Sequence, residues 1–212
     1  MSFAVNFIST DGFEAVELAD LSTGTKVVVI PSCGAILHEM GVQHRGAYIN
    51  IIDHYDNAAD FEKNVTSKGF KSCKLSPFAC RVKNARYRFD EKDYVIEKFL
   101  LGDNALHGLI YDAPFTVQYQ YADEKSAGVA LQFAYRGTDP GYPFHYDCNI
   151  IYQLKHNNTL VISTTIINQD EGLIPVQDGW HPYFKLGAPV DELLLEFQSK
   201  DQWVFDSKMI PT

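Results

Sequence analysis

The 212-residue chain has no apolar run near the roughly 20 residues that a membrane-spanning helix needs, so no such helix is expected. Residues 1–20 lack a basic stretch followed by a long apolar one, so no secretory signal is expected and the protein reads as cytoplasmic. Basic side chains are in deficit: 18 Lys and Arg stand against 27 Asp and Glu, for a formal net charge of −9. An acidic surface repels phosphate backbones, which argues against nucleic-acid binding. The four cysteines, Cys33, Cys73, Cys80 and Cys148, lie far apart and form no C-x-x-C pair. Zinc spacing is therefore missing, and reduced, mostly buried thiols are expected. Without a secretory signal, the sequons Asn64-Val65-Thr66 and Asn157-Asn158-Thr159 read as chance matches. Internal repeats, low-complexity tracts and linkers are all absent, so one domain over residues 1–212 is the simplest organisation.

What the chain does have is period-2 alternation. Hydrophobic residues make up 46%, enough for one sizeable core. Residues 115–121 alternate apolar and polar, 122–127 form a polar turn, and Val129, Leu131, Phe133 and Tyr135 alternate again. Such a pattern reads as a hairpin with one buried face. A second hairpin is expected from 146–154 and 159–168 around a turn at 155–158, and a third from 85–89 and 94–99 around 90–93. Residues 25–30 and 34–42 add two strands, broken at Pro31-Ser32-Cys33-Gly34. Only 57–68 suits a short helix. Many short strands and almost no helical periodicity predict an all-β antiparallel sandwich or barrel.

Three segments carry more polar and aromatic chemistry than a plain strand needs. They are 76–87, with Arg81; 104–109, with Asn104 and His107; and 179–187, with Trp180, His181 and Tyr183. Taken singly, each has an ordinary structural reading. An arginine at a strand start is usually solvated, a His-Gly pair is usually a turn, and Trp-His-Pro-Tyr suits an aromatic corner.

Together and in this order they resemble the aldose 1-epimerase, or galactose-mutarotase-like, family. Arg81 falls on the arginine of that family's N-R-I-x-x-G-x-[FY] stretch, although Cys80 and Ala85 replace its Asn and Gly. His107 falls on the histidine of N-x-L-H-G, and His181 on that of H-P-Y-F-x-L. Gly34-Ala35-Ile36-Leu37, Gly141-Tyr142-Pro143 with 151–154, and 209–212 resemble further family stretches. Gly179-Trp180 and Pro77-Phe78 are similar to the hexose-6-phosphate 1-epimerase-like branch.

The resemblance implies a galactose mutarotase-like β-sandwich, incomplete at its C-terminus, that converts the α and β anomers of a hexose or hexose phosphate. Ring opening needs one proton delivered to the ring oxygen and one removed from the C1 hydroxyl. Imidazoles suit that work, and neither a metal nor an organic cofactor is needed. His181 is then the acid, His107 a second catalytic histidine near the ring oxygen, and Arg81 the fork that holds hydroxyls. Asn104 is a further substrate-binding candidate; by side-chain type alone, Trp180 or Tyr183 suits the apolar face of a sugar, and core packing is at least an equal reading for either ring. The family's glutamate base and a binding aspartate lie downstream of the last residue here, so impaired activity is expected. Asp178, Glu171 and Asp191 are local stand-ins with surface or turn readings. Lys74, Lys83, Arg86 and Lys185 are candidates for a phosphate. A sugar-binding module without catalysis is the alternative, and a scaffold dependent on oligomerisation is a third reading. Homo-oligomerisation is left open.

Overall fold

The computed structural model describes residues 2–211. Met1 lies outside the described residues, as does Thr212, the last residue of the 209–212 motif. The chain runs through β1 (Phe3–Thr10), β2 (Phe13–Asp20), β3 (Thr25–Ile30), β4 (Ile36–His44) and β5 (Ala47–Asn50) before the short helix α1 (Ala58–Asn64). Six short strands follow: β6 (Lys74–Leu75), β7 (Arg81–Val82), β8 (Arg86–Phe89), β9 (Lys92–Val95), β10 (Leu100–Leu101) and β11 (Asn104–Leu106). Four long ones come next, β12 (Thr116–Ala122), β13 (Ser126–Arg136), β14 (His145–Lys155) and β15 (Thr159–Asn168), and then β16 (Gly179–Trp180).

Two antiparallel sheets form the sandwich that the alternation predicts. One has the order β1-β2-β3-β4-β5, the other β12-β13-β14-β15. In β14 every second residue is buried, and Tyr146, Cys148, Ile150, Tyr152 and Leu154 face the first sheet. Burying such side chains stabilises the fold by about 1.5–3 kcal/mol for each large aliphatic one. The Tyr152 hydroxyl donates to the Ala35 carbonyl at 2.7 Å, tying the two sheets together without leaving a buried donor unpaired.

β2 and β3 show no clean alternation because both of their faces are buried. Val16, Leu18, Val27 and Val29 pack into the core between the sheets. Phe13, Ala15, Val28 and Ile30 pack the other way, with Tyr55, Phe61, Phe70 and Tyr111, beneath α1. That helix starts at Asn57, whose side chain accepts the Asp60 N–H, and it buries Phe61 against Tyr55 with ring centroids 5.1 Å apart.

Three local features differ from expectation. The β1–β2 hairpin was not anticipated, because Phe7 is 62% exposed and weakens the pattern. Its turn, Asp11-Gly12, has φ of 52° and 78°, and Asp-Gly between strands is itself a hairpin signal. The strand β5 was also not anticipated, since three of its four residues are exposed. The hairpin expected over 85–99 is tighter than read: Phe89 pairs with Lys92, so Asp90 and Glu91 alone turn the chain, both at positive φ. The four cysteines are free thiols, two buried and two half-buried.

Candidate functional site

The three unusual segments converge because residues 72–76 act as a common strand between two of them. On one side, the Ser72 N–H donates to the His181 carbonyl at 2.9 Å and the His181 N–H donates to the Cys73 carbonyl at 3.2 Å. On the other, Ser76 bridges Gly108, and the Leu109 N–H donates to the Ser76 carbonyl at 2.7 Å. Gly108 has φ +83°, and a Cβ there would lie 2.3 Å from the Ser76 oxygen, so only glycine permits the approach. His107 is itself left-handed at φ 62° and donates its N–H to the Cys80 carbonyl at 3.0 Å. Arg81 follows Cys80 and stands opposite Leu106 in the β7–β11 ladder. The guanidinium and the first imidazole are thus placed by neighbouring strand positions.

The result is a row of rings. Phe70 meets His107 edge-on at 4.7 Å, His107 meets His181 edge-on at 5.1 Å, and His181 stacks on Tyr183 at 5.2 Å with an interplanar angle of 18°. Both imidazoles are half-buried. His107 Nδ1 is sealed from solvent and has no hydrogen-bond partner among the described residues. Burial, and then the neighbouring His181 and Arg81, push the His107 pKa down to about 4. One Arg81 amino group donates to the Lys208 carbonyl, and the Cys80 thiol donates to the Met209 carbonyl at 3.7 Å. Lys208 and Met209 therefore lie against the arginine side of the row.

The other expected site residues separate. Tyr183 joins the row, and its hydroxyl end sits over Gly69. Asn104 turns to the loop after β7, where its side-chain oxygen accepts the Asn84 N–H at 2.9 Å and fixes that loop. Trp180 points away from the histidines, because consecutive strand residues face opposite ways. It packs edge-on to Tyr152 at 5.9 Å and, with Pro182 and Phe184, lines an apolar groove of about 470 Å³.

Lys74, fully buried, and Asp178, at the surface, form an ion pair that the sequence did not reveal. Lys74 is completely buried, touches Asp178, donates to Thr164 Oγ1 at 3.2 Å, and lies 4.8 Å from the centre of the Trp180 ring. Its pKa is lowered by burial, with Asp178 pulling the other way. A carboxylate held there is not free to act as a base at the histidines. Lys74 is likewise withdrawn from any solvent-borne phosphate. Phe70 was also missed, since nothing in Lys68-Gly69-Phe70-Lys71 marks it as a ring that seats a histidine.

The aldose 1-epimerase family model matches residues 17–212, and the chain belongs to that family. It is 24% identical over 131 residues to the uncharacterized protein YphB of Escherichia coli (strain K12), covering 61% of this chain and 41% of that protein. Its fold matches a galactose mutarotase-like protein from Clostridium acetobutylicum at TM-score 0.77 and 17% identity, covering 100% of this chain and 64% of that one. A GalM/aldose epimerase homologue from C. elegans matches at TM-score 0.78 and 23% identity, covering 99% and 60%. The galactose 1-epimerase of Lactobacillus acidophilus NCFM matches at TM-score 0.69 and 23% identity, covering 88% and 54%. The chain thus spans less than two thirds of the length of these proteins.

Proposed function

We propose that this protein acts on an aldohexose, free or phosphorylated, as a 1-epimerase. The observation that carries this reading is the meeting of His107 and His181 at 5.1 Å beside Arg81. In the forward step His181 gives a proton to the ring oxygen, the bond between C1 and the ring oxygen breaks, and the C1 hydroxyl passes its proton to a water molecule to leave an aldehyde. Rotation about the C1–C2 bond and the reverse transfers close the ring as the other anomer. His107, uncharged at neutral pH, hydrogen-bonds the ring oxygen or an adjacent hydroxyl through Nε2, since its Nδ1 is sealed. Arg81 keeps most of its five donors for sugar hydroxyls after serving the Lys208 carbonyl. Tyr183 backs the His181 ring and leaves its edge for the substrate. Asn104 supports Arg81 through the 83–85 loop.

Water takes the C1 proton in this reading because no protein acceptor stands at the histidines among the described residues. Among the described residues no carboxylate hydrogen-bonds to either imidazole, and Asp178 is engaged by Lys74. Slow turnover is therefore expected from these 212 residues. The same observation favours a second reading, in which the chain binds a sugar without converting it.

Polarimetry of freshly dissolved α-glucose and α-galactose, with calorimetry of binding, separates the two. A rate above buffer that falls about 100-fold in His181→Ala supports the epimerase. Binding heat without any rate enhancement supports the binding module. Neither heat nor rate with any hexose or hexose phosphate overturns both.

A further inference from the structure

Left-handed backbone suits glycine and is strained for a bulky side chain, yet three aromatic residues adopt it among the described residues. They are Phe70 at φ 57°, Phe99 at φ 54° and His107 at φ 62°. Such a backbone crowds Cβ against the following carbonyl oxygen, and it persists only where the surroundings over-determine it. All three residues belong to one chain of ring contacts. Phe99 lies against Tyr111 at 4.2 Å, Tyr111 meets Phe70 edge-on at 5.1 Å, and Phe70 meets His107 edge-on at 4.7 Å. Phe70 and Tyr111 are buried. The main chain grips Phe70 as well: its N–H donates to the Val65 carbonyl at 2.8 Å, and its carbonyl accepts the Cys73 N–H at 3.0 Å.

We propose that Phe70 is a positioning residue for the candidate reaction: backed by Tyr111 and Phe99, it fixes the His107 ring with Nδ1 bare and sealed and the proton on Nε2, so that His107 meets the sugar as a hydrogen-bond donor and not as the base. The role in turnover rests on the epimerase reading, whereas the state of the ring does not. His107 Nδ1 has neither solvent nor a partner among the described residues. A proton there would be an orphaned buried donor, the rarest kind of unpaired polar group, so the neutral ring carries its proton on Nε2. A sugar ring oxygen only accepts hydrogen bonds, and Nε2–H supplies the donor it needs. Turning the imidazole over would bring Nδ1 out and put carbon in its place, and the contacts with Phe70 at 4.7 Å and His181 at 5.1 Å restrain that turn. Charging the ring would add the missing proton at Nδ1. Burial opposes this, as do the titratable and charged neighbours His181 and Arg81.

Ring-nitrogen NMR of the labelled chain tests this without turnover. In the parent, His107 should be a single neutral form at neutral pH, protonated on Nε2, and should titrate at about 4. Phe70→Leu keeps an apolar side chain but removes the ring; it should raise that midpoint by about one pH unit and admit the form protonated on Nδ1. Phe61→Leu is the control, because Phe61 is buried in the same core and packs on Tyr55. It should loosen the core as much and leave both signals of His107 as in the parent. A parent His107 protonated on Nδ1, or titrating near an ordinary 6.5, overturns the proposal with no variant needed. So does a His107 that Phe70→Leu leaves unmoved, or that both variants move equally. Polarimetry then bears on turnover: in an active parent, Phe70→Leu should lower the rate at saturating sugar about 10-fold with little change in the half-saturating concentration, and an unchanged rate overturns the role. A parent with the expected ring state and no rate above buffer supports the positioning and counts against the epimerase reading.

Discussion

The two faces of the 179–185 segment divide the labour of the molecule. On one face His181 and Tyr183 stack on each other and meet His107. On the other Trp180, Pro182 and Phe184 line the groove, and Trp180 roofs the buried Lys74. A period-2 backbone thus turns the odd positions towards the histidine row and the even ones towards the groove and the core. Adjacent aromatic residues in one motif consequently take different roles, and a motif match alone does not say which residues meet the substrate.

The largest expected effect lies on the packing face. Asp178→Ala leaves the Lys74 ammonium buried and unpaired, and should cost about 3–5 kcal/mol in urea unfolding. A neutral result would mean that Lys74 escapes to solvent. Replacing both partners at once, Lys74→Met with Asp178→Asn, should recover most of that loss. Next comes Trp180→Ala, which removes a half-buried ring and should cost about 2–3 kcal/mol. His181→Ala, one position later, should cost no more than about 1 kcal/mol, and on the proposed epimerase reading it should lower the rate about 100-fold. Equal destabilisation by these two variants would erase the contrast between the faces.

A pH series sharpens the polar side. The folded-state pKa of His107 is pushed down to about 4 from an ordinary 6.5, so between those values the unfolded chain holds more protons. The stability contributed by the neutral ring is therefore complete above pH 6.5 and is lost as pH falls towards 4. Chemical denaturation of His107→Gln across that window should show a flatter dependence than the parent. The smallest effect is expected for Tyr183→Phe. It keeps the stacked ring and should change stability by no more than about 0.5 kcal/mol, whereas loss of the ring in Tyr183→Ala should lower turnover.

Much of the architecture was legible because β14 buries every second residue and β12 and β15 leave one face largely exposed, which the residue pattern records directly. The β12–β13 and β14–β15 hairpins appear where alternation places them, and α1 falls within the 57–68 stretch read as a short helix. β2 was not anticipated, since a strand walled on both faces loses the alternating signature, whereas β3 stands at 25–30 as read, its apolar run ended by Pro31. Of the site, Arg81, His107, His181 and Tyr183 were identified by motif and are brought together. The split between Trp180 and His181 follows from strand geometry, but only once residues 179–185 are known to be extended. Phe70, the Lys74–Asp178 pair and the Lys208 carbonyl on Arg81 depend on long-range pairing, which leaves no mark in local sequence.

The double walling of β2 and β3 sets the order in which the molecule comes apart. Val16, Leu18, Val27 and Val29 are locked into one core and Ala15, Val28 and Ile30 into the other, so neither strand can peel away while either core survives. Their amides should be the last to take up deuterium, exchanging only through whole-chain opening, while the 190–204 stretch should label within the dead time.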